Sequence, residues 1–140
     1  MDACTFFGHH DAPTSIEPHL RSVLQDLIVT QSVRLFYVGS QGNFDHMVQR
    51  QLNTLSFSND IRFYIVQAYL PQQNKTEISM DHSIFPEGLE CVPRRFAIYK
   101  RNLWMMEQSK YVIAYTRYYT GNAEKMKQLA ITKGKIVLEI

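Results

Sequence analysis

Two short runs set polar and titratable side chains directly behind a glycine: Phe6-Phe7-Gly8-His9-His10-Asp11 and Tyr37-Val38-Gly39-Ser40-Gln41-Gly42-Asn43-Phe44-Asp45. Each reads as an apolar strand that stops at the glycine, turns through polar residues and opens a helix. At such a junction unpaired backbone N–H groups meet the positive end of a helix, which is the chemistry that holds phosphate. In the second run Gly39 and Gly42 tolerate close approach and positive φ, leaving Ser40, Asn43 and the first-turn amides to face an anion. A plainer role is open to both glycines, one ending a strand and the other shaping a turn. Gly121-Asn122 repeats the glycine–helix junction further along the chain.

His9, His10 and Asp11 carry groups that exchange protons and ligate zinc. No second His/Cys pair with ligand spacing completes a metal site, and adjacent residues point in different directions. Hydrogen bonds to a ligand or within the loop are therefore expected, with no metal and no cofactor. Arg94, Arg95, Lys100 and Arg101 form the main basic cluster. Guanidinium groups grip phosphate through paired N–H donors, and Arg94, Ile98 and Arg101 share one side of a helix, so Arg101 is the inward candidate and Lys100 a surface residue. Tyr115, Tyr118 and Tyr119 lead into Gly121 and either stack on a base at a pocket rim or cover the sheet edge. Trp104, Met105 and Met106 read as packing. No nucleophile elbow, Walker loop or dinucleotide fingerprint occurs.

The elements that must carry these residues alternate between strand and helix. Residues 3–7 read as the first strand, and Ser15 as the cap of a helix with Leu20, Val23, Leu24, Leu27 and Ile28 at helical spacing. Residues 33–38 form the second strand. Asn43 caps the next helix, which buries Phe44, Met47, Val48, Leu52 and Leu55. Residues 61–70 form the third strand, ended by Pro71. Residues 71–93 lack periodicity and are expected to form a flap beside the pocket. A helix follows over 94–109, a fourth strand over 111–116, a helix from Gly121-Asn122 closed by Gly134, and a fifth strand over 136–140.

Apolar strands alternating with helices predict an α/β fold: a Rossmann-like three-layer sandwich around a mainly parallel five-stranded sheet of order 3-2-1-4-5. The crevice should then open between the loops at 8–13 and 117–123, with the 39–45 loop alongside. The 140 residues suit one domain over 1–140. Hydrophobic content of 45% fits a globular chain, and a net charge of +2, from 15 basic and 13 acidic residues, creates no field for polyanions, so nucleic-acid binding is not expected. Two cysteines, no leader and no membrane-length apolar run lead to an expected cytoplasmic protein with no membrane partner.

Several stretches together resemble the SLOG superfamily, specifically its small YpsA-like branch of Firmicutes and their mobile elements. They are Cys4-Thr5-Phe6-Phe7-Gly8-His9, the run from Phe36 to Asp45, Leu70-Pro71, Phe85-Pro86-Glu87-Gly88-Leu89-Glu90, Arg94-Arg95-Phe96-Ala97-Ile98 and Arg101-Asn102-Leu103-Trp104-Met105. The resemblance covers nearly the whole chain and implies a Rossmann-like domain that binds a nucleotide or nucleotide-derived molecule. The superfamily includes the DNA-processing Smf proteins and the Lonely Guy phosphoribohydrolases, which release a base from a nucleoside monophosphate. Arg101-Asn102 with Met105 is similar to one element of those enzymes and implies Arg101 and Glu124 as a catalytic pair. Their glycine-rich, glutamate-bearing loop is not matched by residues 116–123, and its best spacing falls on Lys125 rather than Glu124. His10 stands where the branch usually carries arginine, and Asn122 interrupts what is usually a glycine series.

The leading expectation is non-catalytic binding, by sensing or sequestration, of a nucleotide-derived ligand. Amides at 42–44 and 121–123 would hold phosphate, with Gly8, Gly39, Ser40, Gly42, Asn43, Gly121 and Asn122 around it. Arg101 and Arg94 would balance charge; Asp45 or His9 would hydrogen-bond sugar, with His10 beside them. One alternative is an N-glycosidase using Arg101 and Glu124. Another is a phage or mobile-element regulator that docks on a host partner through residues 71–93. Exposed sheet-edge and helix surfaces leave room for a homodimer.

Overall fold

The computed structural model describes residues 2–69, 82–117 and 121–140. Its core is an all-parallel sheet of six strands in the order β4-β3-β2-β1-β5-β6: β1 (Ala3–Gly8), β2 (Leu35–Val38), β3 (Arg62–Val66), β4 (Ser83–Ile84), β5 (Tyr111–Tyr115) and β6 (Ile136–Glu139). Both the count and the order differ from the five-stranded 3-2-1-4-5 expected. The difference is β4, which pairs with Ile65 and Val66 and takes the edge beside β3. Two residues are too short to leave a periodic signal, and the segment around them is irregular.

The centre of the sheet follows from composition. β1 and β5 are buried along their whole inner length and pair from Cys4↔Tyr111 to Gly8↔Tyr115. Strands lined by apolar side chains on both faces need helices on both faces. Cys4, Phe6 and Ile113 point into one core with α1 (Glu17–Thr30) and α2 (Gly42–Ser56), which supply Leu20, Leu24, Phe44 and Met47. Phe7 and Val112 point the other way, against α3 (Arg94–Glu107) and α4 (Asn122–Thr132), which supply Met105, Met106, Met126 and Ala130. Each fully buried large apolar side chain contributes about 1.5–3 kcal/mol, so these two cores fix the three-layer sandwich.

The helix starts differ locally from expectation. Thr14–Ile16 forms a separate 3-10 turn, and Ser15 does not cap α1, which begins at Glu17 with Pro18 in the first turn, where its missing N–H removes no bond. Asn43 does not cap α2 either. The helix already starts at Gly42 behind Gln41, and the Asn43 N–H donates to the His10 carbonyl at 2.8 Å. β3 ends at Val66 rather than at residue 70; Leu70, Pro71 and the rest of 70–81 lie outside the described residues, as do 118–120. No helix among the described residues is long and apolar enough to cross a membrane.

Candidate functional site

From β1 the chain runs outward through β2 and β3 on one side, then returns to add β5 and β6 on the other. The loops after β1 and β5 therefore diverge and leave a crevice at the carboxyl ends of the strands. A cavity of about 400 Å³ lies there. Gly8, His9, His10 and Asp11 form one wall, and Gln41 and Asp45 a second. Ile98, Arg101, Asn102 and Met105 come from α3, and Gly121, Asn122 and Ala123 from the start of α4.

At the floor two buried charged side chains, Arg101 and Asp45, both come close to Gly39. Arg101 is 2% exposed; its Nε donates to Asn102 Oδ1 at 2.9 Å and its Nη1 to the Val66 carbonyl at 3.2 Å. Asp45 is 8% exposed, and its carboxylate accepts the Gln41 N–H at 2.9 Å. Burial pushes Asp45 up to about 6, against the pull of the Gln41 amide, Arg101 and His46 in the other direction. Burial also lowers Arg101 from its ordinary value, while Asp45 and Tyr69 favour its charged form. A carboxyl shifted by desolvation beside a specific cation in a cleft is the arrangement expected of a functional site.

The mouth is pinned by His9, whose Nε2 accepts the Arg117 N–H at 2.8 Å and so ties the β1 loop to the loop after β5. Its ring meets Tyr115 edge-on, with centroids 6.0 Å apart. Tyr115 itself stacks on Phe44 and is 5% exposed, so it covers the sheet and is not a rim platform for a base. Tyr118 and Tyr119 lie outside the described residues.

Seven of the sequence-predicted residues meet on this cavity: Gly8, His9, His10, Asp45, Arg101, Gly121 and Asn122. Gly39, Ser40, Gly42, Asn43, Arg94 and Glu124 are not on it. The glycines serve the protein's own side chains. A Cβ on Gly8 would stand 2.3 Å from the Phe44 ring, and one on Gly42, at φ +91°, would stand 2.5 Å from His10 Cα. With its N–H spent on the His10 carbonyl, Asn43, one of the three amides at 42–44 expected on phosphate, is committed internally, and the Gln41 N–H just ahead of α2 is spent on Asp45.

Arg94 lies over the Tyr69 ring beside a second, smaller cavity. Glu124 pairs with Lys127 at 3.0 Å and accepts from Gln128 at 3.0 Å, and it does not line the cavity that Arg101 lines. Of the expected flap, 71–81 falls outside the described residues, and Phe85, Leu89, Glu90 and Val92 border the smaller cavity instead of this one. Sequence reasoning missed Gln41 and Asn102 as site residues. The only signal for Asn102 was its place next to Arg101, and for Gln41 its place between two glycines.

Among the described residues no group of three or more His, Cys, Asp or Glu gathers to hold a metal. Cys4 is buried in β1, where desolvation pushes its thiol far up, and Cys91 is exposed; neither is in a disulfide. Comparison with protein-family models, with curated proteins and with solved structures finds no match to this chain.

Proposed function

We propose that the protein binds a nucleotide or nucleotide-derived small molecule in the 400 Å³ cavity and does not transform it. The observation that carries this is the cavity's position, at the reversal between β1 and β5, where the N-terminus of α4 and the buried Arg101 guanidinium face the same space. The anionic end of the ligand is assigned to α4, because the amides of Asn43 and Gln41 at α2 are already engaged. Asp45, with His10 and Asn122 on the walls, offers acceptors and donors for sugar hydroxyls. Glycosidic hydrolysis is disfavoured: Glu124 is held by Lys127 and Gln128, off the cavity that contains Arg101.

The test is a thermal-shift screen of mono-, di- and cyclic nucleotides and ADP-ribose, with assay of free base released from AMP. A true ligand at a hundred times its Kd adds about 2.7 kcal/mol of stability, and no base is released. Absence of any shift across the panel overturns the binding reading. Release of base that disappears in Glu124→Gln overturns the non-catalytic one.

A further inference from the structure

The smaller cavity, about 250 Å³, lies beyond Arg101 on the same carboxyl edge of the sheet. Tyr69 and Phe85 bring aromatic rings to its lining, and Ala68, Leu89 and Ala97 add apolar surface. The Arg94 guanidinium lies 4.2 Å over the Tyr69 ring, and the Tyr69 hydroxyl donates to the Arg94 carbonyl at 3.5 Å, so ring and cation are held as one unit. Such a wall suits a flat π-system, which gains from both aromatic and guanidinium stacking. The volume is below the roughly 300 Å³ at which sites for whole drug-sized ligands begin, so it fits a single ring system.

Consecutive residues of α3 serve the two spaces, Ala97 lining the smaller and Ile98 the larger, and Arg101 lines the larger. It stands one helical turn, about 6 Å, beyond Ala97 on α3, and its Nη1 bonds Val66, two residues before Ala68. We propose that the smaller cavity is a ring subsite, taking the planar aromatic ring of a ligand whose sugar-phosphate end occupies the larger cavity. The assignment rests on the nucleotide reading above and gives Arg94 a role in the site, on the ring and not on the phosphate.

AMP carries ring, sugar and phosphate together, and ribose 5-phosphate keeps the sugar and phosphate without the ring. Titration calorimetry on the full chain compares the two. AMP is expected to bind at least about fivefold more tightly than ribose 5-phosphate, the lower end of what one stacked base contributes. In Tyr69→Leu the ratio collapses toward one. Arg94→Ala, on the exposed first turn of α3, lowers it in the same direction and keeps the test decisive if Tyr69→Leu fails to fold by circular dichroism. Equal affinity of the wild-type protein for the two probes, or an unchanged ratio in both variants, overturns the ring subsite alone. Failure of the wild-type protein to bind either probe removes the subsite, and the nucleotide reading falls with it only where the thermal-shift panel is blank as well.

Discussion

A Cβ on Gly39 would stand 2.7 Å from Arg101 Nη1 and 2.8 Å from Asp45 Oδ2, so the two buried charges of the large cavity both rest on the end of β2. The strand end cannot retreat to make room, because the Gly39 carbonyl is held by Gln49 Nε2 at 2.9 Å. Glycine here leaves room for a cation and a carboxylate beside the same backbone position, and the position tests the site more directly than either charged residue does.

Gly39→Ala must push the guanidinium, the carboxylate or both out of place. The atoms that yield are side-chain ends, so the stability cost should stay at the low end of overpacking, about 1 kcal/mol. Affinity for the nucleotide that gives the largest thermal shift should nevertheless fall at least about tenfold, equivalent to 1.4 kcal/mol. Calorimetric titration together with a urea melt separates the two effects. Unchanged affinity in a stably folded variant would remove Arg101 and Asp45 from the binding machinery.

Gly8 makes the contrasting case, because the group that would have to move is a rigid ring in the core. Phe44 is fully buried, stacks on Tyr115, and its ring would lie 2.3 Å from a Cβ on Gly8. Gly8→Ala should cost about 3 kcal/mol, the upper end of overpacking. The smaller Phe44→Leu should relieve part of that cost, giving a coupling of about 1 kcal/mol or more in the double-mutant cycle. Simple addition of the two costs in urea denaturation would show that the contact is not what requires glycine at position 8.

These two glycines also mark how far the amino-acid sequence could be read. Apolar runs at residues 3–7 and 111–116 pointed to the central strands because both faces of those strands are buried, and that burial is written into every residue of them. The spacing of Arg94, Ile98 and Arg101 singled out the guanidinium that lies inward, since helical period determines side. What the sequence cannot reveal is the object that approaches a glycine. Gly8 and Gly39 were expected beside a ligand phosphate, and the atoms that come close to them are those of Phe44 and of the Arg101 and Asp45 side chains. β4 escaped for a different reason: its two residues gain their strand conformation from pairing with β3, a long-range contact with no local pattern.

The state of Asp45 yields a pH dependence with a definite sign. Its carboxyl is pushed from 3.8 to about 6 by burial, so between pH 4 and 6 the folded protein keeps a proton that the unfolded chain has released. Stability from this group is therefore complete below about pH 4, falls as pH rises through the window, and is flat above about 6, where both states are ionised. The total change is on the order of 2–3 kcal/mol, since each tenfold gain in proton affinity on folding is worth about 1.4 kcal/mol. Carboxylates held low act in the opposite sense, Glu17 through its hydrogen bond from Arg50 and Glu124 through that from Gln128. The comparison must accordingly be with Asp45→Asn, which keeps an acceptor for the Gln41 N–H and carries no charge. Urea denaturation of the two proteins from pH 4 to pH 7.5 should show near-equal stability at the acid end and an increasing advantage for Asp45→Asn up to about pH 6. A difference that stays constant with pH would mean that the carboxyl titrates alike in the folded and unfolded chain, and that Arg101 and the Gln41 amide fully offset its burial.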